Sequence, residues 1–128
     1  MIGMQVIERL EWFHTQTFVH RDMKPENILI GTGKRSDLLY LIDFGLSKRY
    51  ICPRTGDHIG FKVKKGMTGT AEYLSVSAHG GGEHSPRDDM ESLGYILVWF
   101  FHKGKLPWSI ERPVCYEFEE DDPDGMEL

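Results

Sequence analysis

The stretch that decides the fold reads His20-Arg21-Asp22-Met23-Lys24-Pro25-Glu26-Asn27, and Asp43-Phe44-Gly45 follows sixteen residues after Asn27. Between these two motifs, Ile28–Ile30 and 38–42 are short apolar runs that flank a Gly31-Thr32-Gly33 turn. Apolar runs of this length around a glycine-containing turn predict a β-hairpin. The two motifs therefore lie at the outer ends of one predicted hairpin.

The residue types in these motifs suit the chemistry of phosphate groups. Hairpin strands lie about 5 Å apart, so Asn27 and Asp43 are expected to be neighbours. An amide oxygen and a carboxylate are hard ligands that suit Mg²⁺. Lys24 adds a compact positive charge for a phosphate, and Asp22 is free to accept a proton from a hydroxyl. This set favours phosphoryl transfer, in which positioning and charge stabilisation supply most of the catalysis.

Single parts of the pattern have simpler interpretations. An isolated Asp-Phe-Gly suits any turn, and an Asn before a strand is usually a cap. His20 is more readily a structural residue that holds the loop by hydrogen bonds than a catalytic one. Arg21 is either an anchor for the loop or a receiver for an anionic group in the segment that follows. Only the combination and its spacing are specific.

Helical patterns lie on both sides of the central motifs. Apolar residues at helical spacing predict an α-helix over residues 2–14, and the glycine-rich residues 43–82 predict a long irregular segment. Ser85-Pro86 is a typical helix start, and Gly104 and Pro107 are typical of a helix end. This second helix is apolar on all faces from Ile96 to Phe101, which predicts that it is buried.

Length and composition exclude several classes of protein. The 128 residues are the size of one domain, and 40% of them are hydrophobic, which is in the globular range. Seven acidic residues and no basic ones fall within residues 117–128, and the rest of the chain carries 15 basic and 13 acidic residues. We therefore expect an acidic, disordered tail over 111–128 and no nucleic-acid-binding surface.

The longest apolar run, 95–101, is too short to span a bilayer, and Glu8 and Arg9 interrupt any signal-peptide core, so no membrane association is expected. Two cysteines without metal-ligand spacing suit the cytoplasm or the nucleus.

The combined motifs resemble those of the eukaryotic protein kinases. Five further blocks, close to continuous over residues 1–110, resemble the casein kinase 1 family of serine/threonine kinases: 40–50, 53–55, 67–71, 87–95 and 106–108. The resemblance implies an α+β, mostly helical fold, which is part of a kinase large lobe with a catalytic-loop hairpin, a long activation segment and one buried helix. Here the catalytic loop is residues 20–27, and the activation segment is residues 43–82.

The resemblance also implies a role for individual residues in an enzyme that uses ATP and Mg²⁺ to phosphorylate Ser or Thr of proteins. Asp22 would be the catalytic base, and Lys24 would contact the transferred phosphate. Asn27 and Asp43 would bind the metal ions. Leu29 and Ile42 would lie beneath the adenine of the nucleotide. Thr70 and Asp89 would form hydrogen bonds to the catalytic loop and support it, together with His20 and Arg21. From their pattern alone, Leu29 and Ile42 are simply strand residues.

Two departures from the family pattern concern the substrate side. Casein kinase 1 members usually have Ser-Ile-Asn where this chain has Ser75-Val76-Ser77, and an arginine where it has Glu72. A carboxylate there would repel an anionic substrate group. The activation segment is still rich in lysine and arginine. These basic residues therefore have two interpretations: they indicate a preference for acidic substrates, or they are simply the charges of a solvated loop.

The 128 residues contain no Gly-x-Gly-x-x-Gly loop and no Val-Ala-x-Lys strand, which form the nucleotide-covering small lobe of kinases. We therefore expect a fragment, residues 1–110, from the middle of a kinase domain that is inactive by itself. We also expect apolar surface to remain exposed on the second helix. The alternative is a kinase-derived interaction module without catalytic activity. The oligomeric state is left open.

Overall fold

A computed structural model describes residues 1–109 of the chain, and the predicted acidic tail, 111–128, lies outside the described residues. The elements are three α-helices and two small antiparallel sheets, in the order α1 (Ile2–Thr15), β1 (Phe18–Val19), β2 (Ile28–Ile30), β3 (Leu39–Leu41), β4 (Lys48–Arg49), α2 (Val76–His79) and α3 (Pro86–Phe101). The helices have 14, 4 and 16 residues, about a third of the described chain. The prediction of an α+β fold is confirmed, whereas a mostly helical chain is not.

Helix α1 covers the predicted residues 2–14 and one residue more. Val6 and Leu10, one turn apart, are fully buried and form the core-facing side of the helix. Ile2 and Ile7 belong to the apolar residues at helical spacing that predicted this helix, but they are 37% and 43% exposed. The buried stripe is thus narrower than the pattern predicted.

Strands β2 and β3 form the predicted hairpin, with Ile28 opposite Leu41 and Ile30 opposite Leu39. The connection is longer than a three-residue turn, because residues 31–38 include a 3₁₀ turn at Gly33–Arg35 and the second strand begins at Leu39. Leu39 is buried in the hydrophobic core, and the partly buried Ile28 and Leu41 pack against that core. The hairpin is therefore fixed to α1 by one of its two faces.

A second sheet was not predicted. Strand β1 pairs with β4, with Phe18 opposite Arg49 and Val19 opposite Lys48. Each strand has two residues, which is too short for an alternating pattern to show in a sequence. This pairing brings the chain that follows Asp-Phe-Gly back beside the end of α1.

Helix α3 begins as predicted, with Pro86 at its first position and the Ser85 N–H donating to Asp88 Oδ2 over 2.8 Å. Leu93 and Ile96 are buried against Val6 and Leu10. The prediction of a helix buried on all faces is wrong, because Phe100 and Phe101 are 41% and 86% exposed. Their exposure agrees with the expectation that a fragment leaves apolar surface uncovered on this helix. Within the described residues, Phe101 is left almost entirely uncovered. No helix among residues 1–109 is both long enough and apolar enough to cross a bilayer.

Candidate active site

The catalytic loop is held from below by a carboxylate of α3. Asp89, in the first turn of that helix and 2% exposed, accepts hydrogen bonds from the backbone N–H groups of His20 (2.8 Å) and Arg21 (3.0 Å). Its Oδ2 also lies 2.8 Å from His14 Nε2 at the end of α1. One buried carboxylate thus joins α1, α3 and the catalytic loop, and its three partners compensate the cost of burying its charge.

His20 links the catalytic loop to the hairpin. Its ring is fully buried; Nε2 donates to the Ile42 carbonyl over 3.0 Å, and Nδ1 accepts from the Asp22 N–H over 3.2 Å. The ring packs edge-on against Phe13 and Phe44. This geometry agrees with the interpretation of His20 as a structural residue.

Asp22 is 7% exposed and has two side-chain partners. Its Oδ1 accepts a hydrogen bond from Thr70 Oγ1 over 2.7 Å, and its Oδ2 lies 3.4 Å from Lys24 Nζ. A hydroxyl from the activation segment and an ammonium from the same loop therefore orient one carboxylate. Such a carboxylate can accept a proton from an incoming hydroxyl, while the ammonium offers its positive charge to a phosphate.

Asn27 and Asp43 are brought together by the backbone. The Ile42 N–H donates to the Asn27 carbonyl over 3.0 Å. Asp43 is the next residue after Ile42, so it follows directly on the residue that pairs with Asn27. The buried Asn27 donates through Nδ2 to the Asp22 carbonyl (2.8 Å), which leaves Oδ1 as its remaining acceptor. Asp43 is exposed and has a left-handed backbone with φ of 61°. Non-glycine residues in this conformation are often found at functional sites.

The donor set fits Mg²⁺. Mg²⁺ takes one or two protein oxygens and keeps its other positions for water and substrate phosphates, which an amide and one exposed carboxylate can satisfy. Residues 1–109 contain no cluster of three or more His, Cys, Asp or Glu side chains that could hold a metal ion. A bound Mg²⁺ would supply neutralisation of phosphate charge at this position.

Arg21 is both anchored and adjacent to other cations. Its backbone has a φ of 69°, and its Nε donates to the Leu46 carbonyl over 2.5 Å. It also lines a cavity of about 110 Å³ together with Lys64 and Lys65. Gly69 approaches the Arg21 carbonyl so closely that a Cβ would lie 2.4 Å from that oxygen. The two interpretations of Arg21 are therefore compatible with each other.

Leu29 and Ile42 lie on the hairpin face opposite to the core. Leu29 pairs with Tyr40, two residues before Ile42, and is 46% exposed. Side chains two residues apart on a strand share a face. Leu29 and Ile42 are thus placed where a flat group could rest on the hairpin, and their contact with adenine remains a prediction.

Hydrogen bonds to α3 hold the end of the activation segment. Ser75 Oγ donates to Asp88 Oδ1 (2.5 Å), and the Val76 N–H donates to Glu91 Oε1 (2.9 Å). Two carboxylates of α3 therefore hold this turn, although Ser75-Val76-Ser77 itself has neither an amide nor a carboxylate. Glu72 is exposed beside it.

Three site-supporting residues were not predicted: His14, Glu83 and Glu91. Each is a polar residue in a sequence context that looks like a solvated surface. Their partners are 75, 35 and 15 positions away, so no local signal identifies them. Glu83 lies three residues before Pro86, the first residue of α3, and that position alone does not imply a function.

The comparison with protein families agrees with this geometry. A family model described as protein kinase domain matches residues 1–121 of the chain. Domains of this family phosphorylate proteins and generally use ATP with Mg²⁺, which suits the carboxylate, ammonium and amide groups that meet at the hairpin. The helices and small antiparallel sheets also fit the α+β kinase fold. Since the match covers nearly the whole chain, this protein is a member of the protein kinase domain family.

Proposed function

We propose that the chain carries the catalytic machinery of a serine/threonine kinase of casein kinase 1 type. Asp22 is the base that orients the substrate hydroxyl, and Lys24 contacts the transferred phosphate. Asn27 and Asp43 hold Mg²⁺, and Leu29 and Ile42 form the surface beneath adenine. The reaction moves the γ-phosphate of ATP to a Ser or Thr hydroxyl of a protein.

One observation carries this proposal: Asp22 has both Thr70 Oγ1 and Lys24 Nζ within 3.4 Å. The carboxylate is thereby held in one orientation at the mouth of the loop, where a hydroxyl proton can be accepted. The positive charge of Lys24 on the same side favours a neighbouring phosphate over a neutral group. Lysine two residues after the aspartate is the pattern of serine/threonine kinases that the sequence resembles.

Charge is the basis for the proposed substrate preference, and cysteine usage is the basis for the proposed location in the cell. Lys64 and Lys65 line a cavity with Arg21, which supports acidic protein substrates. The exposed Glu72 opposes this preference near the end of the segment. We place the protein in the cytoplasm, the nucleus or both, without a role for nucleic acids or membranes.

These 128 residues, tested alone, are expected to transfer no measurable phosphate. Catalysis by kinases depends on positioning the nucleotide, and neither a Gly-rich loop nor a strand lysine is among these residues. Binding of Mg-ATP is expected to be weak and confined to the hairpin.

Nucleotide titration tests the site directly. In NMR spectra of the chain titrated with Mg-ATP, shifts are expected at residues 22–29 and 42–45. Asn27→Ala and Asp43→Asn should abolish them. Asp57→Asn removes an exposed carboxylate elsewhere in the activation segment and should leave them unchanged. Shifts that survive both variants would show that the nucleotide binds elsewhere and would contradict the proposed site.

A second experiment supplies the small lobe, whose motifs these residues do not contain. Fusing the chain behind the small lobe of a casein kinase 1 enzyme is expected to produce phosphorylation of a Ser- or Thr-containing protein, and Asp22→Asn should abolish it. A folded, nucleotide-binding fusion without any phosphotransfer would instead favour the interaction module. Robust phosphotransfer by the 128 residues alone, lost in Asp22→Asn, would overturn the expectation of inactivity.

A further inference from the structure

Two distant parts of the chain pair at the end of the activation segment. The Glu83 N–H donates to the Lys62 carbonyl (2.7 Å), and the Lys64 N–H donates to the Gly81 carbonyl (2.9 Å). Gly81 has a φ of 82°, and a Cβ there would lie 2.0 Å from the Lys64 carbonyl oxygen. The close approach of residues 62–64 to 81–83 therefore requires glycine at this position.

The side chain of Glu83 extends from this pairing into a group of cations. Only 9% of it is exposed, and it forms a salt bridge with Lys48 of β4 through Oε1. Its Oε2 lies 3.7 Å from Lys64 Nζ. The hydrogen bond from Lys48, together with the charges of Lys48, Lys64 and Arg21, holds the pKa of Glu83 below its ordinary value. The carboxylate is therefore the central anion among three cations.

This position gives one carboxylate contact with three parts of the chain. Lys48 lies five residues after Asp43, Lys64 lies in the middle of the activation segment, and Glu83 itself directly follows it. Without an anion at this point, Lys48 would be left partly buried beside two other positive charges, which is unfavourable. Glu83 supplies that anion from within the chain.

We propose that Glu83 is a positioning residue that ties the Asp-Phe-Gly end of the activation segment, through Lys48, to its middle and its far end. Glu83 is also one of the residues that line the cavity beside Arg21, Lys64 and Lys65. The role of Glu83 lies in the arrangement of the activation segment and does not depend on phosphotransfer.

Amide hydrogen exchange of the whole chain tests the tie. Glu83→Gln keeps the shape of the side chain and removes its charge. It should accelerate exchange roughly tenfold at the protected amides of residues 48–51 and 62–64, because a charged hydrogen bond is lost. Amides in α1 should be unaffected. Asp57→Asn, the same chemical change on an exposed carboxylate of this segment, should accelerate neither stretch.

A double-mutant cycle separates the direct contact from general damage. If Lys48 and Glu83 interact, Lys48→Met combined with Glu83→Gln should accelerate exchange less than the product of the two single effects. If Glu83→Gln does not fold, the single variants Lys48→Met and Lys64→Met are measured in its place. Each of them removes one lysine partner of Glu83 and leaves the other. Multiplicative effects, or exchange in Glu83→Gln equal to that of the control, would overturn the proposal.

The pH dependence provides a readout that an uncharged packing role would lack. The groups that face the Glu83 carboxylate are Arg21, Lys48, Lys64 and His84. Protection of residues 48–51, corrected for intrinsic exchange, should be lost on acidification through the lowered pKa of Glu83. In Glu83→Gln this step should be absent. An equally large loss of protection on acidification in Glu83→Gln would show that another group titrates, and it would contradict the proposed role of Glu83.

Discussion

The carboxylate of Asp89 lies 2.8 Å from the backbone nitrogen of His20, although 69 positions separate the two residues. A second bond to the Arg21 N–H, over 3.0 Å, means that one side chain satisfies two successive donors of the catalytic loop. Buried N–H groups need such partners. The loop that carries Asp22 and Asn27 is therefore positioned by the first turn of α3.

Asp89→Asn should lower the free energy of unfolding by about 2 kcal/mol, since an amide cannot accept from both N–H groups and also keep the contact with His14. Urea denaturation followed by circular dichroism measures the loss. Asp57→Asn is the control, because its carboxylate is exposed. A loss no greater than that of the control would show that the three contacts contribute little.

Thr70→Val should lower the free energy of unfolding by about 1 kcal/mol, because it leaves the buried Asp22 Oδ1 without its hydroxyl donor at nearly constant volume. Thr70→Ser keeps the hydroxyl and should retain most of the stability. Thermal unfolding of the three proteins at one pH compares them. Equal losses in both variants would assign the effect to the methyl group and not to the hydrogen bond.

Stability should decrease below neutral pH because of His84. This side chain is 8% exposed, and burial lowers the pKa of His84 below its ordinary 6.5, although Asp88 acts in the opposite direction. The unfolded state then takes up the proton at a higher pH than the folded state, so stability is lost as the pH falls through 6.5 towards the lowered pKa.

The measurement is the free energy of unfolding between pH 7 and pH 5. His84→Gln should lose less stability over this range than the unmodified chain. The same replacement at the exposed His102 should leave the pH dependence unchanged. An identical pH dependence in His84→Gln would show that other groups cause the loss.

Phe101→Gln should reduce self-association, because Phe101 is 86% exposed at the apolar end of α3. Its free energy of unfolding should change by less than about 0.5 kcal/mol, as is usual for surface positions. Sedimentation velocity at several concentrations measures association. Ile96→Ala, at a fully buried position of the same helix, should instead lose about 3 kcal/mol. Unchanged association in Phe101→Gln would show that this end of the helix is not the contact surface.

Local patterns predicted the elements whose signals lie within a few residues. Helix α1, the β2–β3 hairpin and the start of α3 follow from apolar spacing, a glycine turn and a Ser-Pro cap. The same patterns overstated burial, as at Ile7 and Phe101, because they report which side chains are apolar and not whether another part of the chain covers them. The two-residue strands β1 and β4 carry no such pattern.

The catalytic-loop and Asp-Phe-Gly motifs, and hence the family, could be identified from the sequence because their chemistry is concentrated in two short stretches that flank one hairpin. Only the tertiary structure decided which ionisable side chains pair with a largely buried carboxylate: His14 with Asp89, and Lys48 with Glu83. Isolated residues of these types look alike in a sequence. Their hydrogen bonds span tens of positions, so they depend on the path by which the chain returns to itself, and that path is set by packing of the core.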